Sequence, residues 1–139
     1  MRVTLERTNE RFTMQAKNDV GSTIIFDNNT AGGGDDAGFR PMQSLLAAAA
    51  ACSSIDVISI LKKQRYDKFG LVVTVDGERD TGKDANLWVK VHMHFTVTGD
   101  IPADKVARAV ELSVTKYCSV SKTLEAAGAV VTASSDVHP

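Results

Sequence analysis

Two cysteines, Cys52 and Cys118, are the side chains in this 139-residue sequence best suited to covalent chemistry. They stand 66 positions apart with no C-x-x-C motif. In a reducing compartment a structural disulfide is not favoured, which leaves three readings: inert buried thiols, a metal pair or a redox pair. A thiol is a nucleophile only as its thiolate, which helix N-termini and positive charges promote and apolar burial opposes. Cys118 lies beside a predicted helix start, with Lys116 and Lys122 close in sequence. Cys52 falls in the middle of a helical stretch, where the amides are already used, and Asp56 one turn on opposes its ionisation. Its activation requires a cation from elsewhere, and Arg40 at the head of the same stretch is the nearest candidate in sequence.

The element that must position Cys52 is residues 40–65, RPMQSLLAAAAACSSIDVISILKKQR. Pro41 suits a first helical turn, where its missing N–H has no partner to lose, and Ala, Leu, Met and Gln favour helix. Lys62, Lys63 and Arg65 complement the negative end of the helix dipole. Such a helix is about 35 Å long, the width of a whole domain of this size. Between Leu45 and Leu61 only Asp56 is charged, so the helix is apolar nearly all round and is expected to run through the middle of the fold. Asp56 with Ser44, Ser53, Ser54 and Ser59 makes a membrane span costly.

Around this helix the pattern is mainly alternating. Residues 2–8, 11–17 and 22–27 predict an antiparallel meander. Residues 28–38, NNTAGGGDDAG, predict a surface loop; no GK[ST] follows, and Asp35 and Asp36 would repel a phosphate. Residues 71–80 and 87–98 predict a hairpin, the second run placing Leu87, Val89, Val91, Met93, Phe95 and Val97 on a buried face. His92 and His94 share the other face with Lys90, Thr96 and Trp88 and read as solvated rather than as metal ligands. Residues 100–117 predict a second helix with Tyr117 in the core, Ser119 or Ser121 is placed to cap a third ending at Gly128, and 129–136 predict a last strand. The order βββαββααβ is an α+β domain of antiparallel sheet with packed helices, spanning 1–139 as one domain. A formal net charge of −1 argues against nucleic-acid and anionic-membrane partners. The N-terminus has no apolar leader segment, so a cytoplasmic protein is expected, without metal or cofactor.

The run G-x-R-P-M-x-x-L-L-A-A-A-A-A-C-S-S-I-D-V at 38–57, followed by K-Y-C-S-V-S at 116–121, resembles the OsmC/Ohr family of osmotically induced and organic-hydroperoxide-resistance proteins, nearest to its OsmC-like branch. The resemblance implies an intertwined homodimer in which sheets enclose long central helices and the two cysteines meet at the subunit interface. It further implies a peroxidase cycle: Cys52 attacks the peroxide and becomes a sulfenic acid, Cys118 condenses with it to a disulfide, and a dithiol, lipoyl-type or other, reduces the product. Leu45, Leu46 and Ile55 would form apolar walls suited to fatty or aromatic hydroperoxides. The sequence departs from the peroxidase pattern in carrying Met42 and Gln43 where those members place a glutamate, and in having no arginine in 22–27. Arg40 is the nearest substitute in sequence, with Arg7 and Arg11 as alternatives. The alternatives are a non-catalytic protein binding an apolar or thiol-reactive small molecule in the same cleft, and metal binding by Cys52 and Cys118 with His92 or His94.

Overall fold

Alternation in the first forty residues becomes three short strands. The computed structural model describes residues 1–139, which condense into two compact units, Met1–Leu45 and Leu46–Pro139. In the first, β1 (Val3–Arg7), β2 (Met14–Asn18) and β3 (Thr23–Phe26) form the expected antiparallel meander, with Leu5 opposite Ala16 and Ala16 opposite Ile24. Because side chains alternate across a pleated strand, Val3, Leu5, Met14, Ala16, Ile24 and Phe26 all gather on one face. With Pro41 and Ser44 they line an open groove of about 450 Å³. Val3, Leu5 and Ile24 are more than half exposed.

The loop after β3 is organised by Asp27, whose carboxylate is buried. It accepts hydrogen bonds from the Thr13 hydroxyl (3.2 Å) and from the backbone N–H groups of Asn28 (2.8 Å), Asp35 (3.2 Å) and Ala37 (3.1 Å). Four donors on one carboxylate overcome the penalty of burial and hold its pKa below the ordinary aspartate value. Gly34 permits the closure, since a Cβ there would overlap the Asn28 carbonyl.

The long helix forms as the sequence predicts: α1 is Pro41–Lys63. Gln43 reaches back to accept the Arg40 N–H at 3.2 Å, the return half of a capping box. Burial along α1 is narrower than its composition suggests. Only Ala49, Ser53, Val57 and Leu61, spaced by four and hence on one stripe, are buried within the chain, while Ile55 is 66% exposed. By length and composition α1 could cross a membrane, yet its buried stripe belongs to the second unit's core.

In that unit β4 (Gly70–Arg79) pairs antiparallel with β5 (Trp88–Thr98), as expected from the alternation. β6 (Val130–His138) corrects the all-antiparallel expectation, because it lies parallel to β5 in the order β4-β5-β6. A parallel neighbour needs a crossover, and α2 (Ala103–Leu112) and α3 (Ser119–Ala126) supply it. Val91, Met93, Phe95 and Val97 of β5 pack with Val57 and Leu61 of α1, Val106, Ala109 and Val110 of α2, and Leu124 of α3. Trp88 does not stand on the polar face: it packs at the edge of this core, over Gly77, where an added Cβ would lie 2.7 Å from the ring.

The second helix is not one regular element to residue 117. Its α-helical part ends at Leu112, and the backbone widens into a π-helical turn, Ser113–Tyr117, closed by the Cys118 N–H bonding the Ser113 carbonyl at 2.8 Å. Buried Ser113 gives this turn its anchor: its hydroxyl lies 3.0 Å from an Asp56 carboxylate oxygen and 3.2 Å from the Ser53 carbonyl, both on α1. Tyr117 is consequently half exposed rather than in the core, with the Lys116 ammonium 5.2 Å from its ring centre.

Candidate functional site

Cys118 is the hinge of the site. With φ −68° and ψ 104° it leaves the π turn in an extended conformation and becomes the N-cap of α3. The cap is the cysteine itself, not Ser119 or Ser121: its Sγ accepts the Ser121 N–H at 3.4 Å. Ser121, fully buried, also directs its hydroxyl at the same sulfur, at 3.2 Å. Cys118 is completely buried and Cys52, on α1, partly so; both are free thiols.

The two thiols, so distant in sequence, are near enough in the fold for each to shift the other's ionisation. The first turn of α3 serves both. The backbone amides of Val120 and Ser119 are directed at Cys52, and that of Ser121 at Cys118. Orphan amides at a helix N-terminus favour negative charge, so they suit a thiolate. Their effect differs between the two thiols. For Cys118, burial raises the pKa, but the Ser121 hydroxyl, the Ser53 hydroxyl, the Ser121 amide and the Cys52 thiol together bring it below the ordinary value. The Ser53 hydroxyl is buried and has no better partner than this sulfur. For Cys52, burial raises the pKa, the Val120 and Ser119 amides only partly oppose it, and the neighbouring Cys118 sulfur adds to the rise. The surroundings thus favour the charged form of Cys118 and disfavour that of Cys52.

The groups acting most strongly on the two thiols are hydroxyls, amides and each other, with no cation among them. Arg40 precedes Cys52 by twelve residues along the same helix, about 18 Å of rise. Its guanidinium lies 3.4 Å from Asp36 in the first unit. Gln43, where the peroxidase pattern places an acid, is occupied as a helix cap.

His92 and His94 take no part. They stand on the face of β5 opposite Val91 and Met93, among the hydroxyls of β6: His92 contacts Thr132 (2.7 Å) and Ser134 (2.9 Å), and His94 contacts Ser134 (2.7 Å). The sheet separates them from buried Cys118, so the metal site combining both cysteines with a histidine is not formed, and no cluster of three metal-ligating side chains exists. Sequence reasoning missed Ser53, Ser113 and Ser121. The available signal was positional: Ser121 stands three residues after Cys118, the N3 position of a helix capped by that cysteine.

Residues 33–134 match the family model described as OsmC-like protein. The chain is 42% identical over 119 residues to Protein YhfA of Escherichia coli K12, covering 85% of each. Its fold is similar to that of a solved OsmC-like protein from Mycoplasma pneumoniae, with a TM-score of 0.81 at 18% identity over 99% of this chain and 96% of that one. It is also similar to a Legionella pneumophila structure described as an organic hydroperoxide resistance protein OsmC and predicted redox protein, with a TM-score of 0.67 at 15% identity over 100% and 98% of the chains.

Proposed function

The chain belongs to the OsmC-like family, and from that premise we propose that it is a thiol-dependent peroxidase for organic hydroperoxides, working as one 1–139 domain. Cys52 attacks the peroxide O–O bond, giving a Cys52 sulfenic acid and an alcohol. Cys118 then attacks that sulfur, expelling hydroxide and forming the Cys52–Cys118 disulfide, which an external dithiol, lipoyl-type or other, reduces to two thiols. The observation that carries this reading is that Cys118, the N-cap of α3, lies near enough to Cys52 for each thiol to shift the other's ionisation. The Legionella pneumophila protein with this fold is described as an organic hydroperoxide resistance protein, which favours the same substrate class here.

The active assembly in this reading is a homodimer. The apolar groove on β1–β3 and the exposed Ile55 side of α1 are surfaces that a second copy would remove from water. In this reading Arg40, whose guanidinium pairs with Asp36 within its own chain, acts as electrostatic partner of Cys52 in the second copy. A molar mass of one chain in light scattering at working concentration would refute both statements.

The test of the activity is single-turnover oxidation of reduced protein by cumene hydroperoxide and by hydrogen peroxide, read by intact mass with and without alkylation. Rapid loss of about two mass units and both alkylation sites with the organic peroxide is expected, and Cys52→Ser should abolish it. Slow oxidation, unselective between the peroxides, would refute the proposal.

A further inference from the structure

Ser121 is fully buried, and both of its donors, amide and hydroxyl, are aimed at one atom, the Cys118 sulfur, at 3.4 and 3.2 Å. Nothing in the helix needs the second of these. The amide is satisfied by the cap alone, and a serine hydroxyl in a helix commonly bonds back to a carbonyl of the preceding turn, as Ser59 does to Ile55 at 2.7 Å. Against these two donors stands one acceptor, the Ala49 carbonyl, to which the sulfur can donate at 3.9 Å, the longest of its contacts. The sulfur is thus surrounded by donors, an arrangement that suits an acceptor carrying negative charge.

We propose that Ser121 is a positioning residue that holds Cys118 as the ionised partner of Cys52, so that Cys118 serves first as the proton acceptor for Cys52 and then as the resolving nucleophile. The inference rests on the peroxidase reading for its chemistry, but the ionised pair is a property of the reduced protein alone. The steps balance. The proton moves from Cys52 to the Cys118 thiolate, and the Cys52 thiolate takes OH from the hydroperoxide, releasing an alkoxide. The alkoxide recovers the proton from Cys118 and leaves as the alcohol. Cys118, again a thiolate, attacks the sulfenic sulfur and expels hydroxide. One thiol, one thiolate and one hydroperoxide give a disulfide, an alcohol and hydroxide. A chain with glutamine in the position of the usual acid thereby has an internal base.

The experiment has two arms. In Cys52→Ser protein, where only Cys118 can ionise, thiolate absorbance near 240 nm is followed against pH with Ser121 intact, with Ser121→Ala and with Ser121→Thr. Cys118 should titrate below about 8.5, the ordinary thiol value. Ser121→Ala should raise the midpoint by about one unit, the size expected for one hydrogen bond to a charged group, and Ser121→Thr should restore it. In the second arm, disulfide formation by cumene hydroperoxide is timed in otherwise wild-type protein between pH 5.5 and 9. Ser121→Ala should slow it about tenfold at the acid end, and the deficit should vanish about one pH unit higher. A structural role alone would lower the rate at every pH.

A wild-type Cys118 midpoint at or above the ordinary thiol value, or one that does not respond to loss of the hydroxyl, would overturn the inference even if Ser121→Ala protein proves too unstable to assay. A responsive midpoint in a protein that ignores hydroperoxides would overturn the peroxidase reading and leave the ionised pair standing.

Discussion

Replacing Cys118 by alanine and by serine separates its role as a helix cap from its role as a thiol. Alanine removes the acceptor for the Ser121 N–H and strands the fully buried Ser121 hydroxyl. Loss of an N-cap costs about 0.5–2 kcal/mol. A buried hydroxyl left without a partner costs about 1–3 kcal/mol. Together these make Cys118→Ala destabilise the reduced protein by about 1.5–5 kcal/mol. Serine is among the preferred N-caps and keeps an acceptor close to the sulfur's position, so Cys118→Ser should cost less than about 1 kcal/mol. Neither variant can form the disulfide. The assay is urea unfolding of reduced protein at one fixed chain concentration, since any self-association would shift the midpoint by mass action. The slope should be unchanged, so that midpoints compare directly. Equal stability of the alanine and serine variants would refute the cap, and with it the account of how α3 is oriented towards the thiols.

Two further outcomes follow from the packing and the loop. Gly77→Ala places a methyl group 2.7 Å from the Trp88 ring, so it should destabilise by about 1–3 kcal/mol and red-shift the emission of this single tryptophan as the ring is displaced towards water; unchanged emission and stability would refute the packing. Asp27 has a folded-state pKa below its unfolded value of about 3.9, so its contribution is complete above that value and is lost as pH falls through the lower, folded one. Amide exchange at Asn28, Asp35 and Ala37, corrected for intrinsic pH dependence, should accelerate across that acid window and lose its pH dependence in Asp27→Asn.

The elements with strong periodicity were legible in advance. Alternation in 87–98 marks β5 and its buried face, and an apolar stretch with Pro41 at one end and lysines at the other marks α1 nearly to the residue. What escaped depends on contacts between distant segments. The direction of β6 is set by the crossover, not by its own alternation, which looks the same for parallel and antiparallel neighbours. The end of α2 is set by Ser113 reaching Asp56 and Ser53, residues some sixty positions earlier. Apolar composition overstates the burial of α1 within one chain because alanines suit an exposed helix face as well as a buried one. At the site, the sequence alone placed Cys118 at a helix start, and the family resemblance supplied its pairing with Cys52. It did not disclose that sulfur would be the cap, since cysteine is not a favoured N-cap, so the role of Ser121 followed only from geometry.

The parallel pairing of β5 and β6 also sets the order of events as the chain folds. β4 and β5 are joined by a short turn and can zip locally, but β6 must return across the whole of α2, the π turn and α3 before its ladder can start, which makes it a late step. Cys118 rides on that returning segment. Until the crossover docks, its sulfur is separated from Cys52 by the span of an open loop, so a nascent chain meeting an oxidant is poorly arranged to form the internal disulfide. On the peroxidase reading, the capacity to cycle between thiol and disulfide is gained at the end of folding, and its appearance in a refolding time course would report the completed tertiary structure.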